Sequence, residues 1–397
     1  MRLLYTLTAY PPSIGGAQIH QHELARRLKD RHVIRVISHW DSNRTDWLLG
    51  TTIFAPSEEY HYEIDNIPVL RMGFSLREKI SLIPSTFLYY FAMDYCIPRI
   101  SAKIRTRIAP IAKECDIIHN VRIGREPISF ASWEVARQQD IPFVFTPVHH
   151  PRWKGYRNRA FLRLCRHSDG IIALTGSEKE TMVSEGIPPE KIFITGIGPV
   201  LSDRADPIGF RYKNEIDGPM VLFLGQHYRY KGYLKVLRAA KIVWERFPEV
   251  HFVFIGPPVG DSERHFAQGK DRRVHRLGIV GLQEKTHALS ACDILCVPST
   301  QESFGGIYSE AWSFGKPVIG CPIPAVQEVI SDGEDGLLVR QEEHDIADKL
   351  EFLLSHPSEA EKYGQAGKQK VISRFSWDHI ASLTEQAYMK ILGRSHH

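Results

Sequence analysis

The sequence predicts an α/β protein made of two doubly wound domains, each a largely parallel sheet covered by helices. Its 397 residues are too many for one ordinary domain and suit two of roughly 200 each. Short apolar runs alternate with amphipathic stretches along the whole chain, as expected of βαβ units. A content of 43% apolar and 10% aromatic residues is typical of a globular protein with sizeable cores.

Two series of predicted strands define the domains. The first comprises Leu3–Leu7, Val33–Ile37, Asp116–His119, Phe143–Thr146 and Gly170–Leu174. The second comprises Val221–Leu224, His251–Ile255, Asp293–Val297 and Pro317–Gly320. A glycine-containing and then polar stretch between them predicts a hinge, so we place an N-terminal domain at 1–200 and a C-terminal domain at 201–375. A helix over 376–392 is expected to join the first domain. Two such domains facing each other would form a central cleft at the carboxyl ends of their strands.

Cysteine spacing and the opening segment indicate an intracellular protein. The six cysteines include no Cys-x2-Cys pair, which predicts buried, reduced thiols. The apolar run at the start is stopped by Pro11 and Pro12, too early for a signal peptide. No run approaches the ~20 apolar residues of a membrane span. We therefore expect a cytoplasmic protein.

Charge is unevenly distributed along the chain. Lys and Arg exceed Asp and Glu by six in residues 1–200, whereas residues 201–397 carry a net charge of −2. This asymmetry suggests an anionic partner for the first half. The basic stretches lack a recognisable nucleic-acid module, so no nucleic acid is expected among the partners.

The segment that follows the strand ending at Val297 is the most informative part of the sequence. A glycine-containing loop leads into a helix that begins near Gly305, a corner that directs free N–H groups and a positive helix end at a phosphate. Glu302 precedes this helix, and Glu310 lies roughly 7–8 Å further along it at 1.5 Å per residue. The two carboxylates could hold hydroxyls at two places on one extended ligand. Taken alone, they could also be two solvated glutamates.

A second such corner follows the apolar strand that ends before Gly225. Arg229 and Lys231 come within the next few residues. Cations at this place could neutralise a diphosphate as charge builds on it. Taken alone, they could equally belong to a solvated loop.

Together the two corners resemble glycosyltransferase family 4. Glu302 and Glu310 fit its Glu-x7-Glu signature, and Gly225, Lys231 and Gly232 fit its Gly-Arg-x4-Lys-Gly signature. The pair Gly15-Gly16 is similar to the glycine pair that opens the family's first helix. The resemblance covers nearly the whole chain.

This resemblance implies a GT-B fold and a retaining transfer of a sugar from a nucleotide-sugar donor. Lys231 would bind the donor diphosphate with Gly15 and Gly16, and Glu310 would bind the ribose hydroxyls. The remaining implied roles are sugar-hydroxyl binding by Glu302 with the amides of Phe304, Gly305 and Gly306, and base binding by the backbone at Ile279 and Val280.

One departure from the family pattern concerns the arginine expected directly after Gly225. Gln226 occupies that position, and we expect Arg229 to supply the missing charge. No Asp-x-Asp motif lies beside a donor-type strand end. We therefore expect neither a bound metal nor a cofactor besides the nucleotide-sugar co-substrate.

The acceptor side is predicted to lie after the strand ending at Thr146. Two histidines, His149 and His150, follow it, and the family places a histidine of this loop beside the reactive carbon of the sugar. We prefer His150, and His149 remains an alternative. Six Lys or Arg and no acid follow between 151 and 166, which indicates either a solvated face or an acceptor bearing phosphate.

A second basic stretch runs from Arg99 to Lys113 and repeats isoleucine at 100, 104 and 108. Packing of this helix against the sheet, with its charges outward, is the favoured interpretation. A basic amphipathic helix can also lie on an anionic membrane surface, so a peripheral position on the inner membrane face stays open.

Three other functions compete with sugar transfer to a saccharide, lipid-linked or phosphate-bearing acceptor. An epimerase or hydrolase of the same fold fits the signatures less well. A nucleotide-sugar-binding protein without transfer is suggested by Gln226. A dinucleotide-dependent dehydrogenase is disfavoured because no Gly-x-Gly-x-x-Gly follows the first strand.

Overall fold

The structure is a computed structural model that describes residues 1–13, 15–40, 48–122, 127–148, 159–268 and 270–395. It divides into two compact units, Met1–Gly196 with Trp377–His397, and Ile197–Ser376, which we call unit 1 and unit 2. The division falls at 196, close to the boundary placed at 200 from the sequence, and the C-terminal helix belongs to unit 1.

Unit 1 contains an eight-stranded sheet in the order β3-β4-β2-β1-β5-β6-β7-β8. Its pairs are parallel except β3–β4, which form a hairpin turning at Asp65 and Asn66, both with positive φ. This hairpin is absent from the predicted strands because β3 is polar and largely exposed, so no apolar run marks it. The strands are β1 (Arg2–Ala9), β2 (Val33–Trp40), β3 (Tyr60–Ile64), β4 (Ile67–Arg71), β5 (Ile117–Val121), β6 (Phe143–Thr146), β7 (Gly170–Ala173) and β8 (Ile192–Ile194).

Helices cover this sheet because each carries one apolar face. The helices that precede the hinge are α1 (Gly16–Leu28), α2 (Leu76–Leu88), α3 (Met93–Ala112), α4 (Pro127–Gln138), α5 (Arg159–His167) and α6 (Gly176–Ser184). The isoleucines at 100, 104 and 108 of α3 are fully buried in the unit 1 core. The packing interpretation of the basic helix is thereby confirmed.

Unit 2 contains a six-stranded sheet in the order β11-β10-β9-β12-β13-β14, with every assigned pair parallel. The sequence order reverses between β9 and β12, which makes their junction the topological switch point where such sheets bind ligands. The strands are β9 (Met220–Leu224), β10 (His251–Ile255), β11 (Val274–Gly278), β12 (Ile294–Cys296), β13 (Val318–Gly320) and β14 (Leu337–Leu338).

The helices of unit 2 flank this sheet. They are α7 (Pro207–Lys213), α8 (Tyr233–Val243), α9 (Ser262–Gln268), α10 (Leu282–Ala291), α11 (Gly306–Trp312), α12 (Pro324–Gln327), α13 (Glu343–Ser355) and α14 (Pro357–Lys370). A last helix, α15 (Trp377–Ser395), packs on unit 1. Its Tyr388 hydroxyl bonds to His119 Nδ1 at 2.6 Å, and Glu385 accepts hydrogen bonds from Arg31 and pairs with His32.

All six cysteines are buried and unbridged, as the sequence analysis predicted. Across the described residues, no helix has both the length and the apolar character needed to cross a bilayer.

Candidate functional site

The loops that carry the two sequence signatures start from neighbouring strands of unit 2. β9 and β12 pair in parallel, with Ile294 opposite Val221 and Leu295 opposite Leu222. Because parallel strands end at the same sheet edge, the loop after β9 (225–232) and the loop after β12 (297–305) emerge side by side at the switch point. The fold therefore brings together segments that lie about 70 residues apart in sequence.

Hydrogen bonds lock these two loops against each other. The Tyr230 carbonyl accepts from the Thr300 backbone N–H at 2.9 Å and from the Gln341 side-chain amide at 2.8 Å. The same Gln341 amide donates to the Pro298 carbonyl at 2.7 Å. The loop after β9, the loop after β12 and the segment that contains Gln341 are thus hydrogen-bonded at a common point. These bonds hold the backbone from which the next side chains of the β9 loop extend.

Gly232 is required by this close approach. Its φ of +90° lies in the left-handed region, where it ends a short 3-10 turn over Arg229–Lys231 and begins α8. A Cβ at this position would lie 2.8 Å from the Pro298 carbonyl oxygen. Only glycine therefore lets the β9 loop turn against the β12 loop without displacement.

Lys231 and Glu302 meet as a result. The Lys231 ammonium donates to Glu302 Oε1 at 2.5 Å, and the two side chains are 21% and 11% exposed. The Coulombic attraction of such a half-buried pair is less screened by water than that of a surface pair. The structure therefore brings together Lys231, the residue predicted to bind the diphosphate, and Glu302, a residue predicted to bind the sugar hydroxyls.

Arg229 is placed differently. Its guanidinium pairs with Asp261, on the segment after β10, and its side chain is 70% exposed. The hydrogen bond from Arg229 lowers the pKa of the Asp261 carboxyl below its ordinary value. Gln226 is also exposed. The prediction that Arg229 replaces the family arginine missing at Gln226 stays a prediction. In the structure, the Asp261 carboxylate occupies the Arg229 guanidinium and would compete with a diphosphate for it.

Glu310 forms a second ion pair, with Lys285 of α10. Its Oε1 accepts from Lys285 Nζ at 2.7 Å and from the Val200 backbone N–H at 3.4 Å. Glu310 is buried on α11, whose axis starts at the switch point. The sequence analysis did not identify Lys285, since nothing in its local pattern connects it with a glutamate 25 residues later.

The start of α11 is fixed by glycine and aromatic packing. Gly305 has a φ of +86°, and a Cβ there would lie 2.6 Å from the Tyr308 ring. The Tyr308 hydroxyl donates to the Val297 carbonyl at 2.7 Å, while buried Phe304 packs edge-on against Phe375. A Cβ on Gly306 would meet only Ile197, at 3.8 Å. The Phe304–Gly306 backbone is thus held in place from within unit 2.

The predicted base-binding residues lie further along the same sheet edge. Ile279 and Val280 follow β11, two strands from β9 in the sheet order, and Ile279 is exposed. Gly278 has a φ of +66°, which turns the chain at the end of β11. These residues follow the carboxyl end of β11, at the same edge of the unit 2 sheet as the β9 and β12 loops, and their role in base binding stays a prediction.

His227, in the β9 loop, is a residue that the sequence analysis did not single out. It is buried against the rings of Tyr233 and Phe266, and burial lowers the pKa of its imidazole to about 4. This neutral, buried histidine therefore anchors the β9 loop to the aromatic side chains of α8 and α9.

In unit 1, Gly15 is the N-cap of α1 and Gly16 is its first residue, at the end of the loop that follows β1. The sheet order reverses between β1 and β5, so this loop leaves the unit 1 switch point. A Cβ on Gly15 would lie 2.2 Å from Gln18 Oε1, whereas a Cβ on Gly16 would meet no atom within 4 Å. His149 and His150, the predicted acceptor-side residues, lie outside the described residues, as do the first three cations after them.

Two further observations bear on the site's surroundings. Among the described residues, no cluster of three or more His, Cys, Asp or Glu side chains could hold a metal ion. A cavity of about 610 Å³ lies at the amino ends of β5, β6 and β7, the sheet edge opposite to the predicted acceptor loop, and it contains none of the predicted site residues.

Family models match both units. Residues 14–196 match the model described as Glycosyltransferase Family 4, and residues 209–370 match Glycosyl transferases group 1. Alpha-maltose-1-phosphate synthase of Mycolicibacterium smegmatis is 27% identical over 256 residues, or 56% of this chain and 64% of that protein. Phosphatidyl-myo-inositol mannosyltransferase of Mycobacterium tuberculosis is 33% identical over 183 residues, or 44% and 48%. The matches therefore span between about half and two thirds of these relatives' own length.

Solved structures resemble the whole chain. HepE of Anabaena, in complex with UDP and glucose, has a TM-score of 0.75 at 18% identity, covering 98% of this chain and all of that one. Sucrose-phosphate synthase of Thermosynechococcus elongatus has a TM-score of 0.74 at 18% identity, covering 99% and 100%. The predicted fold class is confirmed. The chain belongs to glycosyltransferase family 4, and its two α/β units have the GT-B fold.

Proposed function

We propose that the protein transfers a sugar from a nucleotide-sugar donor to an acceptor, with retention of configuration and without a catalytic metal. The single observation that carries this proposal is the Lys231–Glu302 pair at the unit 2 switch point. One of its members suits a diphosphate, and the other suits the hydroxyls of a sugar. The complex of HepE with UDP and glucose supports a nucleotide and a sugar as the ligands of such a fold.

The pair can serve both ligands at once. An ammonium has three N–H donors, and Glu302 accepts one, so two remain for diphosphate oxygens. A carboxylate has about four acceptor positions, and Lys231 occupies one, so sugar hydroxyls can donate to the others. As the bond from the sugar to the diphosphate breaks, negative charge grows beside Lys231, which stabilises the transition state more than the bound donor.

Glu310 is proposed to accept hydrogen bonds from the ribose hydroxyls. Its ion pair with Lys285 orients the carboxylate and leaves Oε2 for the ligand. A buried carboxylate held by a lysine is a rigid acceptor, so less side-chain entropy is lost when the nucleotide binds.

Arg229 is proposed to move from Asp261 to the diphosphate when the donor binds. Both partners of this ion pair are largely exposed, and exposed pairs contribute little stability, so the exchange costs little. The phosphate charge would then be met by Lys231 and Arg229, with the amides of 304–306 holding the sugar and Gly15 and Gly16 closing over the diphosphate. No metal is needed for this charge balance.

For the chemical step we propose attack of the acceptor hydroxyl on the face of the sugar from which the diphosphate leaves. The carbon–oxygen bond to the diphosphate breaks, the bond to the acceptor oxygen forms, and the hydroxyl proton passes to the departing phosphate oxygen. His150, or alternatively His149, would lie beside the reactive carbon, and Ile279 and Val280 would bind the base. These roles follow from the family resemblance.

The acceptor is proposed to be a saccharide that is lipid-linked or bears phosphate. One relative is named for mannosyl transfer to phosphatidyl-myo-inositol and another for synthesis of maltose 1-phosphate. The basic α5 residues Arg159, Arg163 and Arg166 follow the predicted acceptor loop and suit an anionic acceptor. Buried, unbridged cysteines suit a reducing, cytoplasmic location.

A second candidate is a nucleotide-sugar-binding protein that no longer transfers. It is favoured by Gln226 at the arginine position and by the pairing of Arg229 with Asp261. Both candidates predict donor binding, and only the first predicts turnover.

A transfer assay separates these functions. Purified protein is given UDP-glucose, GDP-mannose or ADP-glucose with sugar phosphates or lipid-linked acceptors, and product and released nucleotide are quantified. We expect equal amounts of both, at least a hundredfold loss in Glu302→Ala, and no loss in the exposed control Glu334→Ala. Nucleotide release that does not depend on acceptor would indicate a hydrolase, and donor binding without product would favour the second candidate.

A further inference from the structure

α2 presents a continuous apolar face to solvent. Leu76, Ile80, Ile83 and Phe87 follow the i, i+4, i+7, i+11 spacing of one helix face, and all four are exposed. Leu76 and Phe87 are 71% and 66% exposed, and Phe91, beyond the helix end, reaches 84%. Leu88, Tyr90 and Tyr95 extend the exposed patch toward α3.

The opposite face of α2 is packed, so its orientation is fixed by the unit 1 core. Leu82, Ser85 and Thr86 are buried, and the Thr86 hydroxyl bonds to the Leu82 carbonyl and to Thr52. The helix begins in a capping box, in which Ser75 and Glu78 each accept from the other's backbone N–H. The apolar row therefore faces outward in a well-anchored helix.

Lys and Arg outnumber Asp and Glu in the stretch of chain that carries this row. Between 76 and 113 the chain carries seven Lys or Arg and only two acids, Glu78 and Asp94. Both acids are already paired, Glu78 with Arg107 at 2.5 Å and Asp94 with Arg163 at 3.1 Å. The exposed Arg77 lies on α2, and exposed Arg99 lies over the Tyr95 ring at 3.3 Å.

The patch lies near the predicted acceptor side of unit 1. Asp94, in the first turn of α3, pairs with Arg159 and Arg163 of α5, the helix that follows the loop after β6. The corner between α2 and α3 thus neighbours the chain that leaves the predicted acceptor loop. An acceptor held at this corner would be close to the carboxyl edge of the unit 1 sheet.

We propose that the α2 face and the α2–α3 corner, Leu76–Tyr95, dock on an anionic lipid bilayer. The apolar row would enter the boundary between headgroups and acyl chains, and the flanking cations would contact the anionic headgroups. Beyond Tyr95, α3 contributes charge, because its isoleucine row is buried in the core. This inference rests on the proposed function only for the lipid-linked acceptor that such docking would present.

Flotation with vesicles tests the docking. The probes are vesicles of phosphatidylcholine alone and of phosphatidylcholine with about one third phosphatidylglycerol. We expect the full-length protein to float with the anionic vesicles, and binding to fall as salt rises from 0.1 to 0.5 M because screening weakens the headgroup contacts. Phe87→Ser/Phe91→Ser should lower the partition coefficient at least tenfold.

The matched control is Ile208→Ser/Tyr212→Ser, which removes two equally exposed apolar side chains from α7 of unit 2. It should bind vesicles like the parent. Thermal unfolding and nucleotide affinity should be unchanged in both double variants, since the substituted side chains are exposed and none is among the residues proposed to bind the donor.

Equal vesicle binding by the parent and Phe87→Ser/Phe91→Ser would overturn the proposal, as would no binding to anionic vesicles. A dimer in solution that dissociates on Phe87→Ser/Phe91→Ser, without vesicle binding, would assign the face to a second copy of the chain instead. Vesicle binding without sugar transfer would support membrane docking and contradict the proposed function. Sugar transfer without vesicle binding would support the proposed function and contradict membrane docking.

Discussion

Lys285 on α10 and the buried Glu310 on α11 form an ion pair whose nitrogen and oxygen lie 2.7 Å apart. The pair joins two helices of unit 2 at the carboxylate that the family resemblance assigns to the ribose. If Glu310 binds the ribose as proposed, Lys285, which has no role in the family signatures, is a positioning residue for the nucleotide.

Removing either partner should weaken nucleotide binding, and the two effects should not add. Glu310→Gln keeps the shape but weakens a charge-assisted hydrogen bond worth about 1.5–3 kcal/mol, so nucleotide affinity should fall at least several-fold. Lys285→Met should cost less in the parent and almost nothing in the Glu310→Gln background. Calorimetry on a double-mutant cycle measures this coupling.

The control for this cycle is Lys213→Met, which breaks an exposed ion pair to Glu284 on the same helix α10. It should leave nucleotide affinity unchanged. Additive losses in the cycle would mean that Lys285 acts through general stability and not through Glu310.

Arg229 and Asp261 provide a test of the substitute cation. If Arg229 stabilises the leaving diphosphate, Arg229→Ala should slow single-turnover transfer by ~10²–10³. Gln226→Ala should cost much less, because a neutral amide offers one hydrogen bond of ~0.5–1.5 kcal/mol. Asp261→Asn removes the competing carboxylate and should tighten diphosphate binding slightly.

An Arg229→Ala variant that transfers sugar at nearly the parent rate would show that Lys231 acts without it. Looser binding in Asp261→Asn would indicate that the ion pair holds the loop in place instead of competing with the ligand.

The turn at Gly232 should be sensitive to a single added methyl group. Gly232→Ala places a residue with φ of +90° in left-handed backbone, at about 1–2 kcal/mol, and adds a Cβ 2.8 Å from the Pro298 carbonyl oxygen. The control is Gly260→Ala. Gly260 has a φ of +60°, and a Cβ there would meet no atom within 4 Å, so this variant measures the cost of backbone strain alone. Thermal unfolding should rank Gly232→Ala as the less stable of the two.

Nucleotide affinity should also fall in Gly232→Ala, because the added methyl group displaces the turn that carries Lys231. Equal stability of the two variants would show that the β9 and β12 loops are not in obligatory contact.

Chelation tests the charge balance of the proposed mechanism. Transfer should persist in excess EDTA, because Lys231, Arg229 and backbone amides are proposed to meet the phosphate charge. The assay is initial rate with and without EDTA, followed by readdition of Mg²⁺ or Mn²⁺. Activity that disappears on chelation and returns with either ion would require a metal in the mechanism.

The sequence sufficed to predict the sheet edge at which the site forms. The strands ending before Gly225 and at Val297 were recognisable from apolar runs, and the fold class follows from their alternation with helices. The family resemblance implied that Lys231 and Glu302 bind the same donor, and the two residues meet because β9 and β12 are neighbouring strands.

Long-range partners were not predictable in the same way. Lys285 and Asp261 are ordinary surface-type residues in the sequence, and only the packing of α10 and the segment after β10 shows which carboxylate or cation each one meets. Periodicity alone also cannot tell which of two amphipathic helices buries its apolar row. α3 buries its own, whereas α2 exposes one.

The most direct test of the central claim is a calorimetric titration of UDP, GDP and ADP into the parent protein and Lys231→Met. The account predicts that at least one nucleoside diphosphate binds the parent and that Lys231→Met weakens it at least tenfold. Lys241→Met, an exposed lysine of α8, should bind like the parent. Equal binding by the parent and Lys231→Met, or no binding of any of the three nucleotides, would contradict the account.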